Sequence, residues 1–197
     1  MASRPAVVLY DQCSLSEIMD FLSLFQSTNP TVLVAGTHGE TIRTVEGLSL
    51  AANASISDAV PAEHNPIVIT GGDVAAAIHD ESLKSFLRTA HDENEAVVGG
   101  ICNGVWLMAA AGLLDGRRCT HTGHSSCDAP DEVVATAQPL FEQAHYVPEN
   151  IVVDGRLVTA KPWATGEFTV QVAQLAGLIE EDEVDSIRSY LSGNFEP

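Results

Sequence analysis

Basic residues are scarce in this chain of 197 residues, which has 9 Lys and Arg against 27 Asp and Glu and a formal net charge of -18. A surface of that sign repels nucleic-acid phosphates and anionic membranes, and no cluster of Lys or Arg counters it. We therefore expect no nucleic-acid partner and no membrane partner. The acidity is typical of a solubilising surface and indicates no particular reaction.

Long apolar runs are also missing. The first apolar run, residues 6–10, is stopped by Asp11, and no stretch has the length of a membrane span or the pattern of a secretory signal. We therefore expect a soluble protein located in the cytoplasm.

Cysteine is limited to Cys13, Cys102, Cys119 and Cys127. Because no export signal is evident, free thiols are expected and disulfides are not. With 45% hydrophobic residues the chain can bury one core of ordinary size. No linker, repeat or low-complexity stretch divides it, and we predict a single domain over residues 1–197.

Apolar strands alternate with helical patterns along most of the chain. We predict strands at 5–10, 31–36, 67–70 and 96–101, helices at 15–25, 81–92, 105–114, 133–141 and 166–179 with a tail helix, and an Asp-Gly hairpin at 151–159. Residues 41–58 are suited to short ribbon strands or loops. This pattern indicates an α/β fold with a mainly parallel sheet covered by helices on both faces.

In sheets of this kind the ligand crevice lies beyond the carboxyl ends of the strands. Three such ends carry residues of chemical interest: 11–17, Gly71-Gly72 and Cys102. We expect the functional site where these three segments meet.

Cys102 lies in Gly100-Ile-Cys-Asn-Gly104, between a predicted strand and a predicted helix. This is the context of a nucleophile elbow, in which small neighbours allow a strained turn to push the side chain into the crevice. The helix N-terminus beside it favours thiolate over thiol. Free Cys is also commonly buried without a chemical role. The pentapeptide alone therefore favours neither a nucleophilic Cys102 nor a structural, buried one.

Two further features could complete a site around Cys102. The Gly71-Gly72 pair could bring backbone N–H groups to a reacting atom as an oxyanion hole, or be an ordinary turn. Glu17 could exchange protons with the sulfur, and burial beside a thiolate would raise its pKa. Ser14-Leu-Ser-Glu17 is equally a capping box, which would account for Glu17 without any catalysis.

The loop Cys119-Thr-His-Thr-Gly-His-Ser-Ser-Cys127 contains two Cys and two His. Its spacing does not match the usual structural zinc patterns, so we predict no metal site. We expect it to bring His121, or His124 in its place, within reach of Cys102, although either imidazole could lie on the surface without a role. Trp106 and Trp163 are interpreted as core or pocket wall.

With these residues in place, the chain resembles the ThiJ/PfpI superfamily, the free-standing relatives of class I glutamine amidotransferase domains. The resemblance runs from about Ala6 to Leu178. It is carried by VVLYDQCSLSE, ITGG, GICNG followed by LMAAAGLLDGRRCTHT, and IVVDGRLVTAKPWATGEF.

The resemblance implies a flavodoxin-like three-layer sandwich, a homodimer, and a reactive Cys hydrogen-bonded to an acidic residue of the first βα loop. Cys102 and Glu17 match those two positions, which favours the catalytic interpretation of Glu17 over the cap. Gly72 matches the oxyanion-hole glycine, and the backbone N–H of Asn103 would be its partner, with Gly71 in the pocket.

Departures from the family patterns bear on the reaction. Protease-like and some glyoxalase-like members have His directly after the nucleophile, where this chain has Asn103. Isonitrile hydratase-like members have Asp where this chain has Glu17. Many relatives have His twenty residues after the Cys, whereas His121 is one residue short. Residues 161–166 contain no His, which argues against a glutaminase.

Our leading hypothesis is an enzyme without a cofactor, in which the Cys102 thiolate adds to an electrophilic carbon of a small molecule such as an α-oxoaldehyde. The chemistry would be glyoxalase- or deglycase-like, or that of a related hydrolase, lyase or hydratase. One alternative is a non-catalytic redox-sensing or stress-protective protein that uses an oxidisable Cys102. An isonitrile hydratase is the other.

Overall fold

The computed structural model describes residues 4–28, 30–35 and 41–194. Gly36, at the end of the second predicted strand, lies outside the described residues, as do both ends of the predicted domain. Within the described residues, no helix is both long and apolar enough to cross a bilayer.

Eleven strands and six α-helices make up the described secondary structure. The strands are β1 (Arg4–Leu9), β2 (Thr31–Val34), β3 (Thr41–Arg43), β4 (Ser49–Ala51), β5 (Ala54–Ser55), β6 (His64–Ile69), β7 (Val98–Ile101), β8 (Arg118–Cys119), β9 (His145–Tyr146), β10 (Ile151–Asp154) and β11 (Leu157–Ala160). The helices are α1 (Met19–Leu24), α2 (Glu81–Arg88), α3 (Gly104–Ala110), α4 (Asp131–Ala137), α5 (Thr165–Leu175) and α6 (Val184–Leu191).

The main sheet has seven strands in the order β10-β11-β7-β6-β1-β2-β5. Its neighbouring strands are parallel except β10 and β11, which form an antiparallel pair at one edge. Strands β1, β6 and β7 are almost entirely buried, because a parallel sheet covered on both faces needs apolar side chains on both faces. The predicted mainly parallel α/β sheet is confirmed.

Two neighbouring glycines of β7 show that helices cover both faces. A Cβ atom on Gly99 would lie 2.6 Å from Val172 of α5, whereas a Cβ on Gly100 would lie 2.6 Å from Met108 of α3. Successive residues of a strand point to opposite faces, so α5 and α3 lie on opposite sides of the sheet. Helix α1 packs with α5, and α2 packs with α3. This arrangement is the predicted flavodoxin-like three-layer sandwich.

Several element boundaries differ from the predicted ones. The first predicted helix is a 3₁₀ turn at Ser16–Ile18 followed by α1, and the one predicted at 133–141 is α4 followed by a 3₁₀ turn at Gln138–Phe141. Pro139 lies in that second turn and lacks the N–H that an α-helix would use. In the β10–β11 hairpin Asp154 pairs with Leu157, so the two loop residues are Gly155 and Arg156 and not Asp-Gly.

Strands β3 and β4 form a separate antiparallel hairpin, in agreement with the ribbon predicted for this segment. The hairpin is joined to the loop after β1, because the Gln12 N–H donates to the Arg43 carbonyl at 2.7 Å and the Val45 N–H donates to the Cys13 carbonyl at 3.0 Å. It therefore lies beside the carboxyl end of β1. The carboxyl ends of β1, β6, β7 and β11 are neighbours at one edge of the sheet.

Candidate active site

Cys102 is the first residue after β7 and adopts a left-handed conformation, with φ of 54°. Such a φ is uncommon for a residue with a side chain and marks a strained turn. Its N–H donates to the Ala160 carbonyl at 2.9 Å, which holds the turn against the end of β11. Helix α3 begins two residues later, as a nucleophile elbow requires.

Gly100 and Gly104 on either side of Cys102 allow the sheet and α3 to approach closely. A Cβ on Gly104 would lie 2.4 Å from the Ile69 carbonyl oxygen, and one on Gly100 would lie 2.6 Å from the Met108 sulfur. Larger residues at either position would push α3 away from β6 and β7. The pentapeptide around Cys102 therefore forms the tight strand-to-helix turn that its glycines predict.

Glu17 lies in the 3₁₀ turn before α1 and reaches the Cys102 side chain. Its carboxyl group lies beside the Cys102 thiol, and a hydrogen-bond interaction between the two affects the pKa of both. The same carboxyl accepts the Gly71 N–H at 2.8 Å and lies 3.5 Å from the Thr70 hydroxyl. Residues from the ends of β1, β6 and β7 thus meet at one point.

The capping box that would have accounted for Glu17 without chemistry does not form. The 3₁₀ turn has no side-chain cap, and the Ser14 hydroxyl donates instead to Glu46 at 3.2 Å. The Ser16 N–H also donates to Glu46, at 3.1 Å. Glu46, from the β3–β4 hairpin, therefore holds this turn in place of a local cap.

Glu46 could not be found from the sequence, because it lies 30 residues from the turn that it holds. Although desolvation opposes the effect, hydrogen bonds from Thr44 and from the Ser16 N–H lower the pKa of Glu46 to about 2. Glu46 therefore stays ionised, and its charge contributes to raising the pKa of Glu17.

Gly71 separates Glu17 from Cys102, and no larger residue fits there. A Cβ on Gly71 would lie 2.5 Å from the Glu17 Oε2 and 2.6 Å from the Cys102 Cβ. Gly72 has φ of 113°, and a Cβ there would lie 2.4 Å from the Gln12 carbonyl oxygen. The glycine pair is thus required by the site and is not an ordinary turn.

The Asn103 side chain ties the elbow to this glycine pair. Its amide Nδ2 donates to the Gly72 carbonyl at 2.9 Å. The backbone N–H groups of Asn103 and Gly72 both interact with the Cys102 sulfur. Sequence reasoning assigned only the backbone of Asn103 and missed this side-chain contact, since nothing in the local sequence indicates its partner.

The Cys102 thiol has a strongly raised pKa. Burial is the largest cause, and the charge and hydrogen bond of Glu17 raise the pKa further. The N–H groups of Asn103 and Gly72 lower it, and the net result is a pKa of about 12. The Asn103 N–H at the helix start lowers the pKa, in the expected direction, but burial and an adjacent carboxyl outweigh the backbone N–H groups.

Glu17 also has a raised pKa, chiefly because of burial, while hydrogen bonds from Cys102, Gly71 and Thr70 partly offset the rise. Two adjacent buried acids do not both ionise readily, so the pair retains at least one proton at neutral pH.

His121 and His124 lie in a separate group of rings. His121 is stacked on Phe141 with ring centroids 3.7 Å apart, and His124 is stacked on Tyr146 at 3.8 Å. Burial, with smaller effects of His124 and Lys161, lowers the pKa of His121 to about 4. Among the described residues, no hydrogen bond or ring contact joins either imidazole to Cys102. A catalytic role for His121 stays a prediction.

The two imidazoles line a cavity of about 620 Å³ between α4 and the β8–β9 pair. The Cys127 sulfur lies 3.0 Å from the Tyr146 hydroxyl in the same region. In the part of the chain that the structure describes, no group of three His, Cys, Asp or Glu side chains is arranged to hold a metal ion.

The two tryptophans occupy different environments. Trp106 on α3 is buried, and its ring packs against Gly123. Trp163 is 65% exposed, its indole N–H donates to the Asn150 side chain at 2.8 Å, and the Lys161 ammonium lies 5.8 Å from its ring centroid. Trp106 is therefore a core residue, whereas Trp163 lies on the surface beyond the end of β11.

A sequence model of the DJ-1/PfpI family matches residues 3–175. Among curated proteins, an uncharacterized protein in the cpoL 5′ region of Streptomyces lividans is 25% identical over 129 residues, which cover 62% of this chain and 90% of that protein. Protein DJ-1 homolog D of Arabidopsis thaliana is 27% identical over 147 residues, which cover 67% of this chain and 33% of the plant protein.

Solved structures with the same fold include a DJ-1 superfamily protein from Agrobacterium tumefaciens, with a TM-score of 0.78 and 19% identity over 98% of this chain and 100% of that one. DJ-1 from Schizosaccharomyces pombe has a TM-score of 0.75 and 14% identity over 96% of this chain and 98% of that one. A ThiJ/PfpI domain protein from Brachyspira murdochii has a TM-score of 0.73 and 21% identity over 91% of this chain and 100% of that one. The resemblance found in the sequence is confirmed.

Proposed function

The chain belongs to the DJ-1/PfpI family, and from the contacts of Cys102 we propose that it is a cysteine-dependent enzyme acting on a small α-oxoaldehyde or related carbonyl compound. The observation that carries this proposal is that the Glu17 carboxyl lies beside the Cys102 thiol, with Gly71 between them, at a strained elbow. A nucleophile with an adjacent proton acceptor is the minimum that covalent catalysis requires.

The proposed reaction begins when the Cys102 sulfur forms a bond to the aldehyde carbon. The thiol proton passes to Glu17 and then to the former carbonyl oxygen, giving a hemithioacetal. The N–H groups of Gly72 and Asn103 would stabilise that oxygen while it carries negative charge. Their interaction with the sulfur supports this assignment.

The hemithioacetal then isomerises without any oxidant or reductant. The hydrogen on the former aldehyde carbon leaves as a proton to Glu17, its electron pair forms a C=C bond with the neighbouring carbon, and the oxygen on that neighbouring carbon takes up a proton, which gives an enediol. A proton then adds to the neighbouring carbon while the hydroxyl on the sulfur-bearing carbon loses its proton, which gives a 2-hydroxyacyl thioester. Water hydrolyses the thioester, the thiol is regenerated, and the net reaction adds one water to the α-oxoaldehyde to give a 2-hydroxy acid.

The raised pKa values of Cys102 and Glu17 support proton transfer within the pair. A thiol with pKa of about 12 is stored in its protonated form, so it needs a base in contact to become nucleophilic. Glu17 is that base, and its own raised pKa makes it a better proton acceptor than an ordinary carboxylate.

The raised pKa of Cys102 argues against the second candidate function, a non-catalytic peroxide sensor. Peroxide reacts with thiolate, and the Cys102 thiol is held protonated by burial and by Glu17. Mass spectrometry after mild peroxide treatment tests this alternative. Preferential oxidation of Cys102 over Cys127 would favour the sensor.

We also propose that the protein is a cytoplasmic homodimer, as the family resemblance implies. Size-exclusion chromatography with light scattering tests the oligomeric state. A monomeric mass at micromolar concentration would contradict the dimer.

The test of the proposed activity is the disappearance of methylglyoxal with the wild type, Cys102→Ser and Glu17→Gln. We expect loss of the activity in both variants, by at least about 100-fold. Cys127→Ser is the matched control, since Cys127 is a half-buried thiol outside the site, and it should retain wild-type activity. Equal rates in the wild type, Cys102→Ser and Glu17→Gln would refute the proposal.

A further inference from the structure

Lys161 is a buried cation in a strongly acidic protein. The chain has two lysines, Lys84 and Lys161, within a net charge of -18. Lys84 pairs with Glu81 at 2.8 Å on the surface of α2. Lys161 is only 9% exposed, and among the residues that the structure describes it is the one buried Asp, Glu, Lys or Arg.

Lys161 has no carboxylate partner. Ion pairs within 4 Å among residues 4–28, 30–35 and 41–194 involve Lys84, Arg117 and Arg188 but not Lys161. Its one charge-stabilising contact in that set is the face of the Trp163 ring, 5.8 Å from the ammonium. A largely buried lysine whose ammonium has no carboxylate partner is stabilised when an anion binds beside it.

The ammonium is nevertheless within reach of a ligand. The fully enclosed polar atoms without a hydrogen-bond partner belong to His64, Trp106, His121 and Thr169. Lys161 Nζ also lacks a hydrogen-bond partner among the described residues, but it is not fully enclosed. The ammonium therefore contacts accessible space, while the aliphatic part of the side chain is buried.

Lys161 lies next to the nucleophile in the sheet. Ala160 pairs with Ile101 in the parallel β11–β7 ladder, and the Ala160 carbonyl accepts the Cys102 N–H at 2.9 Å. Lys161 and Cys102 are therefore the first residues beyond two neighbouring strand ends. On its other side the Lys161 charge contributes to lowering the pKa of His121.

We propose that Lys161 binds a carboxylate group of the ligand that reacts at Cys102, so that the preferred substrates are α-oxoaldehydes carrying a carboxylate. The substrate class rests on the proposed function, whereas the anion site does not. A single ammonium matches one negative charge, and a dianion such as phosphate would face the repulsion of the acidic chain with one cation to offset it. Trp163, fixed by Asn150, holds the ammonium in place.

The anion site is tested by competitive alkylation with iodoacetate, which is anionic, and iodoacetamide, which is neutral. In both reactions an S–C bond forms at Cys102, iodide leaves, and the thiol proton is lost to solvent. Peptide mass spectrometry gives the ratio of carboxymethyl to carbamidomethyl product at Cys102. Cys127 in the same molecules is the internal reference.

Opposite unit charges about 8 Å apart at an effective dielectric of about 40 change a rate by roughly fivefold. We therefore expect the iodoacetate preference of Cys102 to fall at least about fivefold in Lys161→Met and to be retained in Lys161→Arg. Lys84→Met removes the other lysine charge and should leave the preference unchanged. An unchanged preference in Lys161→Met, or an equal fall in Lys84→Met, overturns the inference.

The substrate class is tested by comparing 4,5-dioxopentanoate, an α-oxoaldehyde with a terminal carboxylate, with neutral methylglyoxal. We expect the wild type to have the higher kcat/KM with the carboxylate compound, and Lys161→Met to lose at least about fivefold of that preference. A preference independent of Lys161 refutes the substrate class. Absence of turnover with both compounds refutes the proposed function, and the alkylation ratio still decides whether Lys161 binds anions.

Discussion

Replacing Glu17 with Gln should make the Cys102 thiol easier to alkylate while it abolishes turnover. The charge and the hydrogen bond of Glu17 both raise the pKa of Cys102. A neutral amide of the same size removes the charge and leaves burial, so the pKa of Cys102 should fall from about 12 but stay above the ordinary value of 9.0. Catalysis would be lost because the amide cannot accept the proton that leaves the former aldehyde carbon.

The magnitude follows from the raised pKa. A rise from 9.0 to about 12 corresponds to about 4 kcal/mol in favour of thiol over thiolate. Burial is the largest cause and the charge of Glu17 the next, and a decrease of about 1 in the pKa of Cys102 would increase the thiolate population about tenfold. Nucleophilicity decreases by about threefold for the same change, which leaves alkylation about threefold faster at about pH 8.

The assay is the rate of iodoacetamide labelling of Cys102 across the alkaline pH range, with Cys127 as the reference in the same molecules. The midpoint of the pH profile should move to lower pH in Glu17→Gln. Glu63→Gln is the control, because Glu63 is exposed and precedes β6 at the opposite end of the strand. Labelling of Cys102 that is slower than in the wild type, or a midpoint that does not move, would refute this account of the site.

Three further outcomes are expected. In Gly71→Ala the added Cβ would lie 2.5 Å from the Glu17 carboxyl. The value of kcat/KM for methylglyoxal should therefore decrease at least about 100-fold, with the circular dichroism spectrum unchanged. Near-normal activity would contradict the close approach of Glu17 to Gly71. Asn103→Asp removes the donor to the Gly72 carbonyl. It should lower kcat about tenfold or more while KM stays within about twofold. A change in KM alone would count against a role of the Asn103 side chain in positioning Gly72. The pKa of His121 is lowered from 6.5 to about 4. Between these two pH values the unfolded chain binds more protons than the folded one. The free energy of unfolding should therefore decrease by up to about 3 kcal/mol as the pH falls through this range. Urea unfolding at several pH values should show a smaller acid loss in His121→Gln, and a pH dependence equal to that of the exposed control His145→Gln would contradict it.

Much of the fold could be predicted because its signals are short in range. Apolar runs at β1, β6 and β7 with helical patterns between them indicate a parallel sheet covered on both faces. The rule that ligands bind beyond the carboxyl ends of parallel strands then brings Cys102, Glu17 and Gly71-Gly72 to one edge. The glycines around Cys102 also predict the elbow, since they are needed within one turn of it.

The residues that were missed depend on contacts between distant parts of the chain. Glu46 supports the Glu17 turn from a hairpin 30 residues away, and the Asn103 amide finds its acceptor on another strand end. The sequence spacing also predicts His121 near Cys102; the structure shows its ring stacked on Phe141, a contact that the spacing does not indicate, and its role at Cys102 stays a prediction. Such contacts leave no periodic pattern in the sequence.

The sequence by itself determined the parallel sheet, the strand-to-helix elbow and which of the four cysteines lies in that elbow. It could do so because hydrophobic periodicity and glycine spacing act over a few residues. Only the tertiary structure decided the protonation of that thiol and the burial of Lys161. Both depend on how much water is excluded and on which charges lie nearby, and these are properties of the assembled strand ends rather than of any one segment.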